Sequence, residues 1–134
     1  MGCDIHFVVE VKQSKKGKKW MGVASTDHIY YPESKHRNYE FFAELAGVRG
    51  EGSGRQPLGI PTDASSLTKM CLNKWNGDAH SASYMSMEEF ASCYNKTAGD
   101  ISALVGEDSI IEKCFGQHLY GEEHKYRVVF WFDN

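Results

Sequence analysis

Hydrophobic and polar positions alternate almost from the first residue. In residues 3–12, CDIHFVVEVK, the side chains of Ile5, Phe7, Val9 and Val11 fall on one face of an extended strand. Asp4, His6, Val8 and Glu10 fall on the other. The polar stretch 13–19 contains the run Lys15-Lys16-Gly17-Lys18-Lys19 and reads as a solvated hairpin tip. A second strand from Trp20 to about Ser25 returns antiparallel to the first, through a loop longer than the tightest two-residue turn. At the other end of the chain, residues 126–134, YRVVFWFDN, form a third strong strand pattern. Arg127, Val129, Trp131 and Asp133 share one of its faces.

Between these strands the period changes from two to about 3.6. Pro32 forbids a regular helix through 26–36. Asn38 then caps a helix over 39–46, with Phe42, Leu45 and Ala46 as its apolar stripe and Gly47 as its stop. Residues 47–63 hold five glycines and two prolines, a loop length that a compact domain keeps for mobility or function. A short helix is expected over 64–75, ended by Asn76-Gly77. Residues 77–84, GDAHSASY, read as a polar loop of small residues. Ser86 followed by Glu89 is a capping box for a helix from Met87 to about Tyr94. Residues 100–115 fit either one helix or two.

The elements add up to an α+β fold: an antiparallel sheet that includes the N- and C-terminal strands, with several short helices packed on it. Residues 1–134 have the size of a single domain, and with 41% hydrophobic residues they can fill one core. A net charge of −3 argues against polymeric nucleic acid as a partner, since proteins that grip a phosphate backbone carry a basic excess. No apolar run approaches the roughly 18 residues of a membrane span, so no membrane partner is expected. Cys3, Cys71, Cys93 and Cys114 form no C-x-x-C pair, and a strand begins where a secretory signal would stand. Four reduced thiols in a cytoplasmic setting are therefore expected.

The candidate chemistry lies at the ends of strands. Asp4 and His6 are two apart and project from one strand face, where they can pair as acid and base or share a metal ion. A second Asp-x-His, Asp78 and His80, is followed by the hydroxyls of Ser81 and Ser83. If the terminal strands pair antiparallel, Asp133 and the terminal carboxylate come beside Asp4 and His6, with Trp131 available to stack on a ring. Asp4, His6, His80 and Asp133 are then expected to converge on one pocket. Asp4, His6, Asp78, His80 and Asp133 are the ligands such a pocket would offer a divalent metal, the one cofactor the residues suggest. Arg37 and Asn38 open the first helix, and Arg49 and Arg55 lie in the glycine-rich loop, where arginine forks suit phosphate or carboxylate.

The blocks MGCDIH, RNYEFFAELAGVRG, GIPTD, DAHSASYMSMEE and VVFWFDN resemble an uncharacterised family of small bacteriophage and bacterial proteins. The resemblance implies a phage or bacterial origin, in which case the cytosol is the host's. It also implies that Asp4, His6, Arg37, Asn38, Asp78, His80, Ser81 and Asp133 fall in motif blocks. Three functions fit the chain. The first is binding of a small phosphorylated or nucleotide-like ligand, including sequestration of a host defence signal. The second is a metal-dependent hydrolase or nuclease built on the Asp and His residues. The third is a protein-interaction module, and a homo-oligomer is compatible with all three.

Overall fold

A computed structural model describes residues 2–13, 19–27, 37–99 and 124–133. Its elements run β1 (Asp4–Gln13), β2 (Met21–Ser25), α1 (Tyr39–Ala46), α2 (Ser66–Lys74), β3 (Ala79–Ser86), α3 (Met87–Thr97) and β4 (His124–Asp133). The four strands form one antiparallel sheet in the order β2-β1-β4-β3. The α+β architecture expected from the alternation is the one observed. The terminal strands are its two central members, paired without interruption from Asp4↔Asp133 to Gln13↔His124.

The face carrying Ile5, Phe7 and Val9 on β1 and Val128, Phe130 and Phe132 on β4 packs against Phe41, Phe42 and Leu45 of α1 and Phe90 and Tyr94 of α3. Phe41 meets Phe90 and Tyr94 edge-on, at centroid distances of 5.4 and 5.1 Å, a favoured geometry for aromatic pairs. The opposite face is thinner. There Val8, Trp131 and Cys71 form a small cluster with Leu67, Leu72, Trp75, Ala79 and Ala82, so that α2 covers the second side of the sheet. This makes three layers: α1 with α3, the sheet, then α2.

Local chemistry fixes the helix ends. Asn38 Oδ1 accepts the Phe41 N–H at 3.1 Å, and Gly47, at φ 70°, sends its own N–H back to the Ala43 carbonyl. Ser65 and Ser86 cap α2 and α3 by accepting the Thr68 and Glu89 N–H groups, each at 3.1 Å. Helix α2 is shorter than the expected 64–75, because Ala64 and Ser65 lie outside its first turn. Helix α3 runs three residues beyond Tyr94.

One element differs in kind from the reading of the sequence. The segment taken as a loop of small residues is the edge strand β3. Alanine and serine have low strand propensity, so the pattern there is silent. Tertiary pairing with β4 supplies what the side chains do not. Their smallness has a use: the 47–63 loop crosses this edge, with Gly59 N–H donating to the Ala82 carbonyl at 2.8 Å and Leu58 N–H to Ser83 Oγ at 3.0 Å. Residues 14–18 of the lysine-rich tip, the stretch 28–36, the ambiguous segment 100–115, which includes Cys114, and the terminal carboxylate lie outside the described residues.

Candidate functional site

The uninterrupted β1–β4 register carries the terminal polar residues to one end of the sheet. Asp4 and Asp133 are direct cross-strand partners. Two like charges so placed repel, and each has its own counterpart. Arg37 Nε donates to Asp4 Oδ1 at 2.8 Å across a largely exposed contact. His6 Nε2 lies 2.5 Å from Asp133 Oδ2 in a nearly closed setting, with side-chain exposures of 9% and 12%. The His6 ring is enclosed by Trp75, at 4.1 Å between centroids, and by Trp131 at 6.2 Å. Arg49, at φ 61°, lays its guanidinium 5.2 Å from the Tyr39 ring centroid, and the Tyr39 hydroxyl accepts the Cys3 N–H at 3.2 Å. The expected meeting of Asp4, His6, Trp131 and Asp133 is thus present in the fold.

His80 does not join them. It pairs with Phe132, whose side chain faces α1 and α3, and the two rings are 6.2 Å apart. Asp133 pairs instead with Ala79. A one-residue shift along a strand reverses the face, so the second Asp-x-His points away from the first. The expected single pocket of Asp4, His6, His80 and Asp133 is corrected accordingly. Asp78 is exposed in the turn before β3, Asn38 is occupied in capping α1, and Arg55 lies 4.0 Å from Glu89. His80 Nδ1 is 3.0 Å from Ser81 Oγ. Among the described residues no three His, Cys, Asp or Glu side chains come together as a metal site. The five proposed metal ligands are therefore not assembled as one set.

A buried polar network that the sequence pattern did not single out lies further along the same face. Glu10, with no exposed surface, accepts from Arg127 Nε, Ser65 N–H and Thr68 Oγ1, each at 2.6 Å. Arg127 also donates to Asp63 Oδ1 at 3.0 Å and to the Asp63 carbonyl at 3.2 Å, with its guanidinium 4.0 Å from the Trp20 ring centroid. Burial pushes the Glu10 carboxyl upward, but the bonds from Ser65, Thr68 and Arg127 outweigh it and hold the group below its ordinary value. The network fastens the start of α2 to the centre of the sheet. Its only trace in the sequence is Glu10 on a strand face and Arg127 on another, which without the register reads as two surface charges.

Fastening α2 in this way leaves an open groove of about 710 Å³ between the second half of α2, the turn after it and β3. Ile60, Met70, Leu72, Ala79 and Ala82 give it apolar walls, and Lys69, Asn73 and Asn76 supply its polar side chains. The lining holds one cation, two amides and no carboxylate. Its volume lies in the usual range for small-molecule sites, about 300–1,000 Å³. Lys69, Asn73 and Asn76 are spaced i, i+4, i+7, one face of a helix and its continuation. In the sequence that spacing looks like an ordinary solvent face, which is why it gave no signal. Comparison of the chain with protein-family models, with curated proteins and with solved structures returns no match in any of the three.

Proposed function

We propose that this protein binds a small organic anion of the nucleotide type in the groove between α2 and β3, without transforming it. The composition of the lining carries the reading: apolar walls suited to a planar ring beside one lysine and two amides, with no carboxylate to repel a phosphate. Lys69 is exposed on its helix and free to meet an anion from solvent. Of the arginines first considered for this role, Arg37 is engaged with Asp4, Arg49 lies over Tyr39 and Arg55 stands 4.0 Å from Glu89. The Asp and His residues support the fold around the groove: Asp133 is the strand partner of Ala79, one of the groove's walls. The metal-hydrolase alternative loses ground because its ligands face different sides of the sheet. No helix among the described residues is long and apolar enough to cross a membrane. The resemblance to small phage proteins gives the binding a purpose by association, namely holding a host signalling nucleotide in the cytosol.

Calorimetric titration with the four common ribonucleoside 5′-monophosphates, and with inorganic phosphate as control, tests the reading. Saturable binding of at least one nucleotide, much weaker binding of phosphate, and loss of binding in Lys69→Glu are expected. Absence of heat with every nucleotide, or a Lys69→Glu variant that binds as well as the parent, would overturn it.

A further inference from the structure

The groove between α2 and β3 is not the same at its two ends. Lys69 lines it toward the middle of α2, whereas Asn73, Asn76 and Gly77 line it toward the turn that follows the helix. Lys69 and Asn76 are seven residues apart, about 10 Å at the rise of a helix. That span is close to the reach from the phosphate of a mononucleotide to the far edge of its base.

The end at the turn is short of donors. The Trp75 N–H donates to the Leu72 carbonyl at 2.9 Å, and the Asn76 N–H to the Asn73 carbonyl at 3.3 Å. The Asp78 and Ala79 N–H groups both donate to the Trp75 carbonyl, at 3.0 and 2.9 Å. Four of the five backbone donors in 75–79 are therefore spent inside the turn and the end of the helix. Each carbonyl has two lone pairs against one proton per N–H, so spending the donors leaves acceptors in excess.

The charges point the same way. This is the C-terminal end of α2, where the aligned peptide dipoles are negative. Lys74, the basic residue of the last turn, lies 3.8 Å from Asp27, and Asp78 adds an exposed carboxylate directly after Gly77. The amides of Asn73 and Asn76 present either an oxygen or an NH2 to a ligand, so they follow the local field rather than set it. The groove thus runs from a cation at Lys69 to a negative, acceptor-rich end at 75–79.

Resting on the reading of the groove as a nucleotide site, we propose that it holds its ligand in one orientation, phosphate at Lys69 and base at the turn, and that it prefers a base carrying an exocyclic amino group. An amino group brings N–H donors to an end of the groove whose own backbone donors are spent. An oxo group at the same ring position sets its lone pairs against the carbonyl end of the helix and the Asp78 carboxylate, and leaves the asparagine amides as its only side-chain donors there. The reverse orientation fails on charge, because it takes the phosphate to the negative end and away from Lys69.

Calorimetric titration of the full chain at low ionic strength with adenosine and inosine 5′-monophosphates, which differ by an amino or an oxo group at one ring position, tests the proposal. The adenosine nucleotide is expected to bind at least about fivefold more tightly, the scale of one hydrogen bond aided by a helix end. Asn76→Lys places a cation at an exposed position of the turn end and should reverse the order of the two nucleotides. Asn73→Lys, also exposed and also lining the groove, gives the same readout should the first variant fail to fold. A smaller preference in the parent protein, or an order that survives in a folded lysine variant, overturns the proposal while leaving the groove a nucleotide site. Binding of neither nucleotide, nor of any in the titrations above, overturns the reading on which it rests.

Discussion

His6 and Asp133, 127 positions apart in the chain, meet with Nε2 and Oδ2 separated by 2.5 Å at the sealed end of the sheet. The pair is held between two central strands and roofed by Trp75, so its surroundings are those of a structural clasp. Its partner pair, Asp4 with Arg37, lies in the open and contributes little beyond charge balance.

His6→Ala should lower the free energy of unfolding by about 3–5 kcal/mol, because it strands a buried carboxylate without its partner. His80→Ala, at a half-buried position on the other face, should cost about 1 kcal/mol. Both variants should bind the nucleotide that the parent binds as tightly per folded molecule as the parent does. Urea unfolding followed by calorimetric titration measures both quantities. A folded His6→Ala protein that has lost binding would move the site from the groove to the strand end.

Glu10 makes the fold sensitive to acid. A carboxyl whose folded-state pKa lies below its unfolded value, about 4.3 for Glu, contributes its full stability above that value. The contribution is lost as the pH falls through the lower folded value. Unfolding free energies measured between pH 7 and pH 3 should therefore decline most steeply below about pH 4.3. Glu10→Gln should flatten that decline and lower stability at pH 7 by about 3–5 kcal/mol, since it leaves the Arg127 guanidinium buried opposite a neutral amide. A parallel pH profile in the two proteins would show that another carboxylate governs the acid limb.

Cys3, Cys71 and Cys93 are free and buried, and burial pushes all three thiols above their ordinary value. Iodoacetamide at pH 7.5 should leave these three unmodified in the native protein and alkylate all of them in urea without added reductant. Peptide mass spectrometry reads the result. Rapid native modification of Cys71 would mean that α2 lifts readily from the sheet, because that thiol is covered between them.

The alternation in residues 3–12 and 126–134 was enough to define the two central strands, because apolar side chains at every second position fall on one face of an extended chain and must be buried together. Asn38, Gly47 and Ser86 announced the helix ends through local backbone chemistry that needs no tertiary partner. The clasp at the sheet end was legible only on the condition that the terminal strands pair antiparallel, and the tertiary structure supplied that pairing, which carries Asp133 to Asp4 and His6. β3 was not legible: its alanines and serines have no strand preference of their own, and only pairing with β4 extends them. The side on which His80 stands depended on a register that the sequence does not state, and a shift of one residue was enough to part it from His6. Glu10 and Arg127 looked like independent surface charges until the sheet placed them opposite each other and α2 closed over them. The groove is wholly a product of that closure. Its walls come from a loop, a helix and an edge strand, and its shape depends on how far the Glu10 network draws α2 onto the sheet, a distance set by packing rather than by any residue alone.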